Sequence, residues 1–194
     1  MDVEIEPLTP DRLPDLASLF EQGGDPRWCW CTWFRFRGRD FTTSTGAQNR
    51  ADFESVATAL APERAAGLLA YRDGVAVGWT SLGPRQDFDR LTHATVLAAL
   101  DDTPVWSIVC FVVGRQARGQ GIGRALLSAA IEYARDHGAT TLEAYPVDTG
   151  AGRIRSANAA GGTLRMFLEA GFEVAAWRQA NARTRPRPIV RRSL

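Results

Sequence analysis

The alternation of apolar and polar positions lays out most of the elements along the chain. Residues 2–7 (DVEIEP) alternate and read as a short opening strand. Thr9 or Asp11 then stands where a helix cap is wanted, ahead of Leu13, Leu16, Leu19 and Phe20 at helical spacing. Residues 21–46 break the pattern with turn formers, the run WCWCTWFRFRGRD and a polar stretch ending in Gly46. Helical spacing resumes over Ala47–Leu60. Gly67–Tyr71 and Val75–Ser81 flank Arg72-Asp73-Gly74, a compact hairpin signal. Residues 83–104 read as loop with one helix over Ala94–Leu100. VWSIVCFVV (105–113) is apolar on both faces and predicts a central strand covered from two sides.

Arg124–His137 predicts an amphipathic helix with Leu127, Ile131 and Ala134 on one side and Gly138 as its stop. Thr141–Val147 reads as a strand, 149–162 as a Gly/Ala-rich loop, and 163–170 as a helix ended by Gly171. Glu173–Trp177 and Ile189–Arg192 are the last strand candidates, joined by an Arg/Pro-rich turn. No internal repeat interrupts this order. It predicts a mixed α/β (α+β) sheet in a single domain over 1–194.

Composition narrows the chemistry. With 45% hydrophobic and 23% charged residues, 194 residues can bury a sizeable core. All 23 basic side chains are Arg. The absence of Lys excludes Schiff-base chemistry and a phosphate-loop lysine. A net charge of +1 argues against a broad basic face for nucleic acid. Cys29, Cys31 and Cys110 are too few and odd in number for a disulfide framework, so a reduced, cytoplasmic setting is expected. No apolar run approaches the roughly 18 residues of a membrane span. Neither a nucleic-acid nor a membrane partner is therefore expected.

The sharpest motif is Arg118-Gly119-Gln120-Gly121-Ile122-Gly123-Arg124, between the central strand and the best helix. Its glycines leave backbone N–H groups free to converge at a helix N-terminus, whose partial positive charge favours an anion such as a pyrophosphate. The dinucleotide spacing G-x-G-x-x-G fails, because Arg124 stands where the third glycine would fall. A nicotinamide-dependent oxidoreductase is disfavoured on that ground.

Arg118, Gly121 and Gly123 match the acetyl-CoA signature [Q/R]-x-x-G-x-[G/A], and MFLEAGFEV (166–174) looks like a closing helix with its Gly-Phe turn. On these motifs the chain resembles the GNAT superfamily of N-acetyltransferases, well over residues 66–178 and weakly before them. CWC, PRQDF and EAYPVD further resemble a bacterial subgroup of that superfamily. The resemblance implies a mainly antiparallel sheet flanked by helices and splayed at its central strands. It implies that the amides of 119–124 hold the pyrophosphate of acetyl-CoA. It also implies that the pantetheine arm runs along Phe111, Val112 and Val113, where a main-chain amide polarises the thioester. A homodimer is plausible on the resemblance alone.

Three positions depart from the family pattern. Phe167 stands where many relatives carry an acidic tyrosine, Ala160 where an asparagine is common, and the central strand lacks a glutamate. Glu143 and Tyr145 share one strand face by their spacing and are the candidate base and acid. The competing reading makes Glu143 an ion-pair partner and Tyr145 a packing residue. Residues 28–36, with five aromatics, suggest a lid over an acceptor site within 21–46. Trp28, Trp30, Trp33 and Asp148 are its candidate contacts; core or dimer packing is the alternative for the aromatics. Cys29-x-Cys31 lacks a second ligand pair, so no metal is expected. The expected function is acetyl transfer from acetyl-CoA to a primary amine of a small molecule. A peptide acceptor, or acyl-CoA binding without turnover, are the alternatives.

Overall fold

The computed structural model describes residues 3–36, 43–150, 160–179, 181 and 186–194. Among them, seven strands form one sheet: β1 (Glu4–Pro7), β2 (Gly67–Arg72), β3 (Val75–Pro84), β4 (Trp106–Val113), β5 (Thr141–Ala144), β6 (Glu173–Arg178) and β7 (Arg187–Ser193). Their spatial order is β1-β2-β3-β4-β5-β7-β6, and only the β4–β5 pair is parallel. The apolar stretch 105–113 is thus the central strand its composition predicts.

Helices cover both faces. α1 (Leu13–Glu21), α2 (Pro26–Cys29) and α3 (Gly46–Leu60) lie on one side with the aromatic segment. α5 (Ile122–Asp136) and α6 (Leu164–Glu169) cover the other, while α4 (Asp89–His93) is a single turn in the loop before β4. The first core centres on Trp79, which no solvent reaches and which meets Phe20 and Phe53 edge-on at 6.4 and 5.8 Å. The second packs Leu126, Leu127, Ala130, Ile131 and Ala134 of α5 against Leu68, Leu82, Ile108 and Leu142. A helical stripe against a pleated face produces this second layer.

Several boundaries move for local reasons. The helix expected over Ala94–Leu100 forms earlier, at Asp89–His93, followed by a 3-10 turn at Thr95–Leu97. Thr9 precedes a 3-10 turn at Pro10–Arg12 and makes no side-chain cap bond. α3 is instead capped reciprocally, with Thr45 Oγ1 accepting from the Gln48 amide and the Gln48 side chain accepting from the Thr45 amide. β5 ends at Ala144 rather than Val147, because the chain there turns toward residues 162–164: Val147 N–H donates to Gly162 O and Leu164 N–H to Val147 O.

Two irregularities open the sheet near its centre. Between β3 and β4 the register passes from Ser81↔Cys110 to Leu82↔Ile108, which leaves Val109 as the extra residue of a bulge. Between β4 and β5 the ladder runs from Trp106↔Leu142 to Ile108↔Ala144 and stops, while β4 continues to Val113. The two strands therefore part in the middle of the sheet. α5 is seated beside this opening because Gly78 on β3 has no side chain to hold it off. A Cβ there would stand 2.6 Å from Ile122 Cγ2 and 3.1 Å from Leu126 Cδ1.

Gly78→Val should therefore lift the first turn of α5 from the sheet and lower unfolding free energy by about 1–3 kcal/mol, the usual cost of overpacking. Urea denaturation followed by tryptophan fluorescence checks this.

Candidate active site

The loop between β4 and α5 forms a concave run of backbone donors. Gly119 and Gly121 adopt φ of 75° and 82°, a left-handed conformation that glycine enters at no steric cost. α5 begins without a side-chain cap, so no described side chain closes its N-terminus. Arg124 and Ala125 donate to Gly121 O at 2.9 and 3.0 Å, whereas the N–H groups of 119–123 meet no backbone acceptor among the described residues. A Cβ built on Gly119 or Gly121 meets nothing within 4 Å, so the ground in front of both is open. Unpaired amides at the head of a fifteen-residue helix suit a polyanion of pyrophosphate size. The chemistry of the cradle fits the diphosphate of coenzyme A.

The side chains of the motif frame this cradle. Arg118, exposed, donates from Nε to Val113 O at 3.1 Å and so ties the loop to the end of β4. Gln120 is held by Arg72 and donates to Gln116 O at 2.7 Å. Arg124 pairs with Glu169 on α6 at 2.7 Å. Ile122 turns inward and belongs to the core under α5.

Phe111, Val112 and Val113 are half-buried at the open end of β4. Because Gly114 donates to Val77 O on β3, the alternation of an antiparallel ladder turns the amides of Phe111 and Val113 toward the opening. The Phe111 amide is already engaged there, donating to Ala160 O at 2.6 Å. Sequence reading missed this contact, since nothing local to Ala160 announces it. Phe167 is buried between Phe111 and Phe172, at ring distances of 6.1 and 5.0 Å, and offers no hydroxyl. Asn158, the polar residue near Ala160 in sequence, lies outside the described residues.

Glu143 and Tyr145 do come together, on the face opposite α5, in a buried network. Arg85 Nη1 donates to Glu143 Oε1 at 2.6 Å and to Tyr145 Oη at 2.7 Å, and Tyr145 Oη donates to Glu143 Oε1 at 2.6 Å. Arg191 Nε takes the other oxygen at 2.8 Å and bridges on to Asp101 at 2.6 Å. Ser107 Oγ lies 3.1 Å from Tyr145 Oη. Glu143 is 0% exposed, and both of its carboxylate oxygens are engaged by guanidinium groups. That geometry matches the ion-pair reading and gives an incoming amine no free oxygen. Burial first, and the neighbouring Glu143 charge second, push the Tyr145 hydroxyl well above the usual tyrosine range. Arg85, expected as a loop residue, is the organiser of this network. Its other nitrogen donates to Leu91 O at 2.7 Å and to Leu97 O.

The aromatic segment divides. Trp30 is 3% exposed and packs edge-on to Phe20 at 5.1 Å, so it is a core residue and not the acceptor contact expected. Its burial follows from the backbone: Trp30 and Cys31 take φ of 46° and 53° and turn the chain inward. Cys31 Sγ then lies 3.2 Å from Cys110 Sγ on β4. Trp28 and Trp33 stay 39% and 40% exposed, the latter beneath the Arg90 guanidinium at 3.9 Å. Arg37 and Arg39 lie outside the described residues. Asp148 is exposed and accepts from Gly150 N–H at 2.8 Å, closing a turn. Among the described residues, no group of three or more His, Cys, Asp or Glu side chains is arranged to hold a metal.

No curated protein matches the sequence. Solved structures match over nearly the whole length. They include yncA of Salmonella typhimurium, solved with its cofactor acetyl-CoA (19% identity, 100% of this chain and 95% of that one, TM-score 0.58). The ribosomal-protein-alanine N-acetyltransferase of Brucella melitensis is similar at 22% identity, 98% and 99% coverage and TM-score 0.57. The paia N-acetyltransferase of Thermoplasma acidophilum, in complex with coenzyme A, aligns at 14% identity over 100% of both chains with TM-score 0.56. At these identities they establish the fold, a mixed and mainly antiparallel sheet with helices on both faces. The Acetyltransferase (GNAT) family pattern matches residues 27–158. That span is more than half of the chain, which accordingly belongs to the GNAT acetyltransferase family.

Proposed function

We propose that this chain transfers the acetyl group of acetyl-CoA to a primary amine of a small molecule, by direct attack in a ternary complex. The observation that carries the proposal is the cradle: unpaired amides at 119–123, open ground before Gly119 and Gly121, and a helix N-terminus beside the parted strands. Gly119, Gln120, Gly121, Ile122 and Gly123 hold the pyrophosphate through their N–H groups, with Arg118 and Arg124 at its rim. Phe111, Val112 and Val113 guide the arm of the donor along the end of β4. Bound acetyl-CoA supplies an activated thioester. The Val113 amide, turned to the opening, is the donor placed to polarise its carbonyl, and such fixed donors are typically worth about 3 kcal/mol of barrier.

Glu143 and Tyr145 act in this reading as positioning residues. Tied to Arg85, Arg191 and Ser107, they fix the end of β5 and so hold the width of the opening. The amine arrives in its neutral fraction and attacks the thioester carbonyl; as the C–N bond forms and the C–S bond breaks, nitrogen gives a proton to water and the departing thiolate takes one from water. Trp28 and Trp33 offer flat exposed surface to an acceptor with an apolar body. A second reading, acyl-CoA binding without turnover, draws its support from Phe167, which brings no proton donor to the position where an acid is expected.

Gly121→Trp fills the cradle and strains a left-handed position, so calorimetric titration should show acetyl-CoA affinity lost by about tenfold or more, the equivalent of one or two charge-assisted hydrogen bonds. Wild-type protein that binds neither acetyl-CoA nor coenzyme A overturns the proposal. Saturation with acetyl-CoA and no product from a broad amine panel selects the second reading.

Glu143→Gln leaves the part-buried Arg85 guanidinium without a carboxylate and Arg191 with Asp101 alone. It should lower unfolding free energy by about 3–5 kcal/mol. The protein that stays folded should show no shift in the pH dependence of turnover, whereas loss of a general base would remove that dependence.

A further inference from the structure

On the face opposite α5, the described residues bury one guanidinium, that of Arg35, outside the Glu143 network. Arg35 is 5% exposed, and among the described residues no carboxylate lies within ion-pair distance of it. One of its nitrogens, Nη2, donates to Ala66 O at 3.1 Å and reaches Ser81 Oγ at 3.5 Å. Among the described residues its Nε and Nη1 have no hydrogen-bond partner, and neither does Arg64 Nε. The carboxylate that faces it, Asp87, is committed to Arg64 Nη2 at 2.8 and 2.7 Å. Arg64 also reaches Glu63, which lies out in solvent. Two guanidinium groups thus face one part-buried carboxylate, and Arg64 alone is paired with it.

Such an arrangement is costly unless an anion completes it, because a buried charge without a partner forfeits its hydration. The cost is visible in Arg35 itself, whose pKa burial lowers to about 10 even with Asp87 nearby. Phe88 backs the guanidinium plane at 4.7 Å, which fixes its orientation. Its place in the fold is also informative. Arg35 lies over Ser81, the partner of Cys110 at the β4 bulge, one residue before Phe111 and the opening where the thioester is proposed to sit. The segment that carries it includes Trp33, and Arg64 and Asp87 extend the charged cluster toward solvent.

Resting on the acetyltransferase reading above, we infer that Arg35 is the anion-recognition residue of the acceptor site, so that the acceptor carries a carboxylate as well as its amine. Two unpaired N–H positions on Arg35, beside a counter-ion already committed to Arg64, leave the charge balance open to one added carboxylate. Arginine suits this task because its donors are fixed in a plane and its charge survives burial.

The test is binding of matched acid and neutral compounds to the full chain: benzoate, phenylacetate and L-tryptophan against benzamide, phenylacetamide and L-tryptophan methyl ester. Calorimetry and thermal shift should show at least one acid binding about tenfold or more tighter than its neutral counterpart, as expected for a charge-assisted pair. Arg35→Gln should abolish that discrimination while acetyl-CoA still binds; Arg35→Lys, which keeps the charge, should restore part of it. In turnover, L-tryptophan should lose its advantage over tryptamine through KM in Arg35→Gln. Equal binding of acids and neutral compounds by wild type overturns the inference, even if both variants fail to fold. Discrimination retained in folded Arg35→Gln overturns it as well. These titrations need no acetyl transfer, so a failure of the acetyltransferase reading would appear separately, as absent acetyl-CoA binding or absent product.

Discussion

β4 and β5 part in the middle of the sheet, and the backbone groups this leaves without a strand partner shape the elements around them. A strand in the middle of a sheet normally spends both rows of backbone groups on its neighbours. Here Val109 inserts an extra residue opposite β3, and the parallel ladder to β5 ends at Ile108↔Ala144. β4 nevertheless continues to Val113, so its last amides face a gap. Buried backbone donors are rarely left unpaired. Ala160 takes up the Phe111 amide, and the rest of the gap opens toward the cradle at the head of α5. The cradle would be an ordinary turn if the strand feeding it were paired on both sides to its end.

Holding such a gap open requires rigid walls. One wall is α5, which lies flat on β3 because Gly78 presents no side chain beneath Ile122 and Leu126. The other is the end of β5, fixed by Glu143 between Arg85 and Arg191. Arg85 also binds the carbonyls of Leu91 and Leu97, so a single guanidinium joins the loop before β4 to β5. Lysine, with one nitrogen, could not span these partners. A chain whose basic residues are all Arg uses that property repeatedly, at Arg85, Arg191 and Arg64.

The aromatic segment shows why residue type alone could not assign roles within it. WCWCTWFRF offers no periodicity that separates inward from outward positions. Two left-handed residues in succession, Trp30 and Cys31, make the separation by turning the backbone. Trp30 and Arg35 consequently go inside while Trp28 and Trp33 stay on the surface. Neither residue is a glycine, so no local rule announces that turn. It is held by distant partners, Phe20 for Trp30 and Cys110 for Cys31.

The central strand, the hairpin of β2 and β3, the stripe of α5 and the glycine cradle are legible in the order of residues alone. Each is written in a short window, as an apolar run, a turn triplet, a 3.6-residue repeat or a cluster of glycines before a helix. The family signature rests on the same local chemistry. Folding of the whole chain was needed to bring Glu143 to Arg85 and Arg191 across 58 and 48 positions, and the Phe111 amide to Ala160. It also decided that Arg35 lies buried beside Ser81, short of a counter-charge. Those outcomes depend on strand order and register, which bring together groups that share no window. Spacing locates a side chain on its own element; what neutralises it belongs to another.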